Sequence, residues 1–214
     1  MVAEIVKVNP ASPEPERIMR AAALVRQGEV IAFPTDTLYG LAADPFNDAA
    51  VERVFAIKER LPGTPLLLLV DSVGMAERCA ERLPPLFHRL AARFWPGPLT
   101  LVVEASARIP ALVTANTGRV GLRLPAAAIA LALVRAVGEP VTATSANRSG
   151  RQASRSAADV QAALGDRLPL ILDGGPSPLV QPSTVVGIRD SSGEMIREGA
   201  IPAAELAGFL TSQA

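Results

Sequence analysis

Cationic and hydroxyl side chains cluster in several short polar stretches of an otherwise apolar sequence. The richest stretch is Thr142–Arg151, TATSANRSGR, in which every residue except two alanines is Ser, Thr, Asn, Gly or Arg. Lys58 and Arg60 close a helix-like run, and Arg123 and Arg197 stand within apolar runs. Phosphoryl and nucleotidyl transfer depend mainly on positioning and charge neutralisation by such groups. The set therefore favours anion chemistry over hydrolysis by a side-chain nucleophile.

Lys58 and Arg60 follow a helical stripe made of Val51, Val54 and Phe55. Lys58 occupies the next step of that stripe, seven residues after Val51. The lysine then either points into a cleft beside the sheet or extends its stem along the helix end to solvent. Cations also complement the dipole at a helix C-terminus, which would by itself explain both residues.

Arg123 and Arg197 lie in runs whose hydrophobic pattern predicts strands. A buried guanidinium needs a carboxylate or phosphate partner, because it does not lose its proton. No acid lies close to Arg123 in the sequence, so a ligand anion is expected there, with a structural salt bridge as the alternative. Arg119 is expected nearer the surface.

Polar loops follow three of the predicted strands, and each loop also admits an ordinary turn interpretation. The stretch FPTDTLYG contains Thr35, Asp36, Thr37 and Tyr39. Its hydroxyls suit recognition of a small amino acid, although a strand-to-loop exit alone would explain them. Ser145 and Asn147 are good turn residues, but with exposed N–H groups they also make a phosphate cradle. Asp173 in DGGPSP either caps its turn or holds Mg²⁺ through water.

Other reactive residue types are scarce. His88 is the only histidine and Cys79 the only cysteine, so a zinc site, an intrachain disulfide and a His-dependent triad all lack support. We interpret His88 as a packed or surface helix residue, Cys79 as inert, and Trp95 as the anchor of a helix-to-strand corner. The sequence also lacks the Gly-x-x-x-x-Gly-Lys pattern of a P-loop.

The 214-residue chain carries 21 Lys+Arg and 21 Asp+Glu, so its formal net charge is zero. This balance argues against long-range capture of nucleic acid, although it allows a local basic groove. With 49% hydrophobic and 20% charged residues, the chain is long and apolar enough for a substantial core. The first residues, MVAEIVKVNP, contain no long apolar stretch, so a signal peptide is not expected, and the run Leu66–Val70 is too short to cross a bilayer. We therefore expect a cytoplasmic protein that does not associate with membranes.

Strand-like and helix-like runs alternate along the chain, which predicts an α/β fold with a twisted mixed parallel/antiparallel sheet flanked by helices. Because ligands bind beyond strand ends in such folds, distant loops are expected to converge on one cleft. The first helix is expected to begin at Ser12-Pro13 and to end at Gly28. Further helices are predicted over Asp48–Arg60, Met75–Arg82, Leu86–Phe94, Ala126–Val137, Ala157–Leu164 and Ala203–Leu210. Strands are predicted over Val30–Pro34, Leu66–Val70, Leu99–Glu104, Val120–Leu124, Val141–Ser145 and Leu168–Asp173, with a hairpin of Thr184–Arg189 and Glu194–Arg197 that turns at Asp190–Gly193.

Seven of these stretches occur in the order and at the spacing of one known family. They are PTDTLYGL, the Lys58-x-Arg60 helix end with Pro65-Leu66, FWPGPLTLV, VGLRLP, TSANRSG, ILDGGPSP and IREGAI. The chain thereby resembles the threonylcarbamoyl-AMP synthase family, the YrdC-like domain, from about Ile18 to Ile201. The resemblance implies a single YrdC-like domain over residues 1–214, with a concave ligand-binding surface and without the C-terminal accessory domain of longer members.

The same resemblance implies an enzyme that makes threonylcarbamoyl-AMP and pyrophosphate from L-threonine, bicarbonate and ATP. A downstream enzyme would transfer the threonylcarbamoyl group to a tRNA adenosine, giving N6-threonylcarbamoyladenosine. Mg²⁺ is implied as the partner of the ATP phosphates. Binding of tRNA or double-stranded RNA is implied as a further capacity.

Carried over motif by motif, the resemblance implies two groups of binding residues. The group around L-threonine is Thr37, Arg123, Ala143 through its backbone, and Ser183. The group around ATP is Arg60, Thr64, Ser145, Asn147 and Arg197. Lys58 and Arg60 are the implied catalytic residues, with Lys58 close to the phosphates.

Four positions depart from the family pattern. Leu69 stands where many members have His, and Pro182 stands where Glu is frequent. Arg119 and Ala153 occupy places where a threonine and a serine are frequent. The alternative function is therefore that of a YrdC-like paralogue, which binds RNA or nucleotides without this activity.

Overall fold

The computed structural model describes residues 2–60, 63–190 and 192–210. The described strands are β1 Glu4–Lys7, β2 Ile31–Phe33, β3 Gly40–Ala42, β4 Leu67–Leu69, β5 Leu99–Glu104, β6 Arg119–Arg123, β7 Val141–Thr142, β8 Thr144–Ser145, β9 Leu170–Asp173, β10 Thr184–Arg189 and β11 Ser192–Arg197. The described helices are α1 Pro15–Arg26, α2 Asp48–Ile57, α3 Val73–Cys79, α4 Pro85–Phe94, α5 Ala111–Thr114, α6 Ala128–Val137, α7 Ala157–Leu164 and α8 Ala203–Leu210.

The strands form two mixed sheets, so the predicted α/β class with parallel and antiparallel pairing is confirmed. One sheet has the order β1-β9-β2-β3-β8 and the other the order β11-β10-β5-β6-β4-β7. In the first, β9 runs parallel to both β1 and β2, whereas β3 is antiparallel to β2 and β8. In the second, the β10–β5 and β4–β6 pairs are parallel and the other three pairs are antiparallel.

The stretch Val141–Ser145 is divided between the two sheets, although one strand was predicted. β7 pairs with β4 in one sheet, and β8 pairs with β3 in the other. Ala143 lies between them, and its backbone N–H donates to the carbonyl of Leu67 at 3.0 Å. The chain therefore passes from one sheet to the other at a residue that the sequence assigned to the threonine site.

The first helix begins at Pro15, and the prediction that it opens at Ser12-Pro13 is wrong. The side chain of Asn9 accepts from the backbone N–H of Ser12 at 3.2 Å, and Glu14 accepts from the backbone N–H of Asn9 at 3.0 Å. These bonds close a turn before the helix, so the serine hydroxyl does not cap it. The predicted end is confirmed, because Gly28 has a φ of +84° just after the helix.

Several other predicted bounds differ from the structure by a few residues. α2 ends at Ile57 with Lys58 as its C-cap, so Arg60 lies beyond the helix. The strands β1 and β3 and the short α5 were not predicted. The antiparallel β10–β11 hairpin is confirmed, while the turn predicted at Asp190–Gly193 includes Ser191, which lies outside the described residues.

No helix among the described residues is both long enough and apolar enough to cross a bilayer.

Candidate active site

A cavity of about 1060 Å³ is lined by residues from both sheets. Its walls include Gly40 of β3, Ser145 of β8 and Leu67 of β4. Alternate residues of β6 also line it, which follows from the two-residue period of a strand. The cavity brings together all ten residues that the sequence assigned to the site: Thr37, Lys58, Arg60, Thr64, Arg123, Ala143, Ser145, Asn147, Ser183 and Arg197.

The charged residues that line the described walls of the cavity are cations. The cations that line it are Lys58, Arg60, Arg119, Arg123, Arg151 and Arg197, and no Asp or Glu is found among its described lining residues. Burial lowers the pKa of both Arg60 and Arg197, and the charge of Arg123 lowers that of Arg197 further. Lowered pKa values show that the positive charges are incompletely solvated, so a bound anion would stabilise them. The cavity is therefore suited to phosphate or carboxylate groups.

The Arg123 guanidinium is held on three sides at the bottom of the cavity. Its Nε donates to the carbonyl of Gly97 at 3.0 Å and its Nη1 to the hydroxyl of Thr37 at 2.9 Å. Its Nη2 lies 2.7 Å from Oδ1 of Asp36 as an ion pair, although without hydrogen-bond alignment. The structural salt bridge that the sequence left open is thus present. The partner is an acid distant in sequence.

Buried hydroxyl groups also line the cavity. The hydroxyls of Thr35 and Thr37 lie 2.9 Å apart, and so do those of Thr100 and Ser183. Arg197 donates from Nη2 to the backbone carbonyl of Ser183 at 2.8 Å. These bonds fix the positions of hydroxyl groups from three separate loops and strands. Together they form a polar end of the cavity, whose hydroxyl and guanidinium groups could bind the polar groups of a small amino acid.

Lys58 is buried in the cavity wall, so its predicted alternative of reaching along the helix end to solvent is wrong. Its Nζ donates to the backbone carbonyl of Ser145 and, at 2.9 Å, to that of Asn147. Burial lowers the pKa of this lysine to about 8, and the nearby charge of Arg60 adds to the effect. The lysine therefore connects the end of α2 to the SANRSG loop while facing the cavity.

The SANRSG loop is both a turn and a wall of the cavity. Asn147 donates from Nδ2 to the carbonyls of Arg148 at 2.9 Å and Arg151 at 2.7 Å, which closes the turn. The backbone N–H of Ser149 donates to the carbonyl of Lys58 at 2.9 Å. Ser145 and Asn147 line the cavity from this loop. The two interpretations of the stretch are therefore compatible.

Arg60 differs from Lys58, Arg119, Arg123 and Arg197, whose side chains all donate to carbonyl groups. Its side chain is half-buried and makes no hydrogen bond or ion pair within the described part of the chain. Thr64 is exposed on the same wall. Arg119 is more buried than expected: its Nη2 donates to the carbonyls of Val102 at 3.1 Å and Ile188 at 3.0 Å.

Several residues that were not assigned to the substrate site have structural or surface positions. Asp173 caps its turn by accepting from the N–H of Gly175 at 2.9 Å. His88 is exposed on α4, and Trp95 donates from Nε1 to the carbonyl of Leu99 at 2.7 Å, which anchors the corner. Burial raises the pKa of the Cys79 thiol to about 11, so the thiol is unreactive. No cluster of three or more His, Cys, Asp or Glu within the described residues could hold a metal ion.

Thr35, Asp36 and Tyr39 were considered with Thr37 as members of the FPTDTLYG stretch but were not assigned to the site, whereas Thr100 was not considered. For the first three, the available signal was their place in one polar stretch after a predicted strand. Of the four departures from the family pattern, Arg119, Ala153 and Pro182 line the cavity, whereas Leu69 is fully buried in β4.

Residues 23–199 match a family model, Sua5/YciO/YrdC, with the description "Telomere recombination". The chain belongs to this family. A threonylcarbamoyl-AMP synthase of Pyrococcus abyssi (strain GE5 / Orsay) is 37% identical over 89% of this chain and 56% of the relative. A threonylcarbamoyl-AMP synthase of Alkalilimnicola ehrlichii is 36% identical over 85% of this chain and 95% of the relative. The predicted family is therefore confirmed.

The fold of the Sua5/YciO/YrdC family is also seen in a solved structure. The crystal structure of P. abyssi Sua5 complexed with L-threonine has a TM-score of 0.93 and 35% sequence identity, covering 97% of this chain and 61% of that one. The chain spans little more than half the length of the first curated relatives that it matches, 56% and 54%.

Proposed function

We propose that this chain forms threonylcarbamoyl-AMP and pyrophosphate from L-threonine, bicarbonate and ATP. The observation that carries the proposal is the electropositive cavity, in which six cations and several fixed hydroxyls meet without an opposing carboxylate on the described walls. Such a cavity suits a triphosphate beside an amino acid. Membership of the family and the names of the similar relatives support the same reaction.

The two ends of the cavity receive different substrates in this proposal. L-threonine occupies the polar end, at Thr37, Arg123, Ser183 and the backbone of Ala143. ATP occupies the rest of the cavity, at Arg60, Thr64, Ser145, Asn147 and Arg197. Arg197 lies where the two parts meet, because it also donates to the carbonyl of Ser183. A relative solved with L-threonine has the same fold, which supports the presence of an amino-acid site.

The reaction then needs two bond-forming steps. The threonine amine attacks the carbon of bicarbonate, and water leaves to give a carbamate. A carbamate oxygen next attacks the α-phosphorus of ATP, and the bond to the bridging oxygen of the β-phosphate breaks, releasing pyrophosphate. The arginines stabilise the negative charge that develops on the leaving group, and the substrate supplies the nucleophile.

Mg²⁺ is proposed to enter with ATP and to neutralise phosphate charge. The donor set fits this role only in part, because the described walls of the cavity offer hydroxyls and carbonyls but no carboxylate to hold the ion. The phosphates and water would therefore supply most of its ligands.

Further parts of the proposal concern the setting of the reaction. We place the chain in the cytoplasm, where a downstream enzyme would transfer the threonylcarbamoyl group to tRNA. A single YrdC-like domain over residues 1–214 is proposed to suffice for the adenylate-forming step.

Pyrophosphate release tests the proposed function. We expect release only when L-threonine, bicarbonate and ATP are all present, with threonylcarbamoyl-AMP detected by mass spectrometry. The paralogue alternative predicts that ATP turnover is indifferent to threonine and that RNA binds in a salt-dependent manner. That result would reject the synthase reaction.

A further inference from the structure

Asp36 stands between the threonine end of the cavity and the start of a helix. Its Oδ1 lies 2.7 Å from Nη2 of Arg123 and accepts from the backbone N–H of Ala126 at 3.3 Å. Ala126 lies two residues before α6. The carboxylate therefore ties the guanidinium to the N-terminal end of α6, where a negative charge is favourable.

The carboxylate is more than a surface partner. The side chain of Asp36 is 12% exposed and that of Arg123 is 4% exposed. The Oδ2 of Asp36 is buried and has no hydrogen-bond partner among the described residues. Burying an acid with one oxygen unpaired is costly, and the adjacent guanidinium is what offsets that cost.

Arg123 transmits this constraint to the cavity wall. Its Nη1 donates to the hydroxyl of Thr37, and its Nε is fixed by Gly97. The hydroxyl of Thr37 is therefore oriented by the arginine, whose own plane is set by Asp36 and Gly97. Both Thr37 and Arg123 line the cavity, whereas Asp36 does not.

The geometry points to Asp36 as a positioning residue, which holds the Arg123 guanidinium and the Thr37 hydroxyl in the arrangement that receives the amino-acid substrate. It acts through Arg123 and does not touch the substrate. The inference rests on the function proposed above, because that function makes this end of the cavity the L-threonine subsite. ATP lies against other residues, so its binding should not depend on Asp36.

Two substitutions separate the charge of Asp36 from its shape. In Asp36→Asn the amide oxygen can take the place of Oδ1, and the amide nitrogen falls where Oδ2 has no partner. This variant keeps the shape and removes the charge. Asp36→Ala removes both. The matched control is Asp190→Asn, which removes the charge from an exposed pair with Arg82.

Titration calorimetry with L-threonine and, separately, with a non-hydrolysable ATP analogue gives the first readout. We expect Asp36→Ala to weaken L-threonine binding about tenfold or more and Asp36→Asn to weaken it less, with ATP-analogue binding unchanged in both. The melting temperature should fall in both variants, because Arg123 loses its counter-charge, and it should fall less in Asp36→Asn, whose amide oxygen can still accept from Arg123. Asp190→Asn should match the parent chain. Unchanged threonine affinity in Asp36→Ala, or equal loss of both ligands, would overturn the positioning role.

Nuclear magnetic resonance of the Arg123 side chain tests the same inference without relying on the reaction. The Nε–Hε signal, assigned by its loss in Arg123→Lys, should be sharp in the parent chain and shifted and broadened in both Asp36 variants. An unchanged signal would contradict the inference. If the parent chain bound no L-threonine, the proposed function would fail, and this signal would still decide whether Asp36 positions Arg123.

Discussion

At the scale of single residues, the site cations differ in the hydrogen bonds that their side chains already make within the protein. The side chains of Lys58, Arg119 and Arg123 donate hydrogen bonds to backbone carbonyls, so they have a structural role as well as a charge. Arg60 makes no such bond among the described residues, and burial lowers its pKa. The donors of Arg60 are therefore available to an incoming anion.

Replacing Arg60 by Ala should nearly abolish adenylate formation while the protein stays folded. No described hydrogen bond depends on the side chain, so the free energy of unfolding should change by less than about 0.5 kcal/mol. Pyrophosphate release and thermal unfolding measure the two effects. Arg135→Ala, which removes an exposed cation of α6, is the matched control. Full turnover in Arg60→Ala would remove Arg60 from the site.

Replacing Ser145 by Ala should weaken ATP binding without disturbing the loop. The backbone of Ser145, and not its hydroxyl, accepts from Lys58 and pairs with β3. Loss of one charge-assisted hydrogen bond predicts a weakening of about 1.5–3 kcal/mol in calorimetry with an ATP analogue. Ser154→Ala is the contrast, because it removes a buried bond to the carbonyl of Ala146 and should lower stability instead. Unchanged affinity for the ATP analogue would show that the Ser145 hydroxyl does not bind ATP and that this residue serves only the turn.

At the scale of elements, the sequence predicted what local pattern determines. β5, α7 and α8 have the predicted bounds, because each combines a clear hydrophobic period with a recognisable start or end. β3 was missed because three residues become a strand only through pairing with β2 and β8. The split of Val141–Ser145 has the same cause.

The sequence predicted which residues line the cavity, but it did not predict the hydrogen bonds and ion pairs between them. Motif matching assigned ten residues that line one cavity, and their binding roles stay predictions. Thr37 and Arg123 bond directly although they lie 86 positions apart. No local pattern indicates such a pair, and the ion pair between Asp36 and Arg123 was missed for the same reason.

The loop after β11 approaches the strand β10 so closely that only glycine fits at position 199. A Cβ there would lie 2.3 Å from the carbonyl oxygen of Pro182 and 2.7 Å from the carbonyl carbon of Ser183. The N–H of Gly199 also donates to the hydroxyl of Thr184 at 3.0 Å, so the loop is tethered against moving away. Any side chain at this position must therefore displace the segment that carries Ser183.

Gly199→Ala should consequently lower the free energy of unfolding by about 1–3 kcal/mol and weaken L-threonine binding through Ser183. Chemical unfolding and calorimetry measure the two effects. Gly208→Ala is the control, because its added Cβ meets no atom within 4 Å on α8 and should stabilise the helix by about 0.5–1 kcal/mol. If Gly199→Ala had the stability of the parent chain, the segment that carries Ser183 would be able to move away from the added Cβ at no cost in free energy, which would contradict this prediction.

At the scale of the whole molecule, a formal net charge of zero coexists with a cavity lined by six cations. Asp36 and Glu104 pair with two of these cations, Arg123 and Arg119. Many of the other acids lie in exposed pairs such as Arg20–Glu4 and Arg53–Glu29. Exposed pairs contribute little to stability. Burying positive charge in the cavity therefore lowers the stability of the folded chain. Lys58, which is 3% exposed, contributes much of this destabilisation.

The destabilisation caused by burying the Lys58 charge should depend on pH. Burial lowers the pKa of this lysine from 10.5 to about 8, so below pH 8 both the folded and the unfolded chain hold its proton and the cost is full. Between pH 8 and 10.5 the unfolded chain holds a proton that the folded chain has released, and stability rises with pH by up to about 3 kcal/mol. Chemical unfolding of the parent chain and of Lys58→Met across this range isolates the effect, because the opposing contributions of Cys79 and Tyr39, whose pKa values burial raises, cancel in the difference. The parent chain should gain stability relative to Lys58→Met as the pH increases, and parallel curves would show that the lysine is not titrating in the folded state.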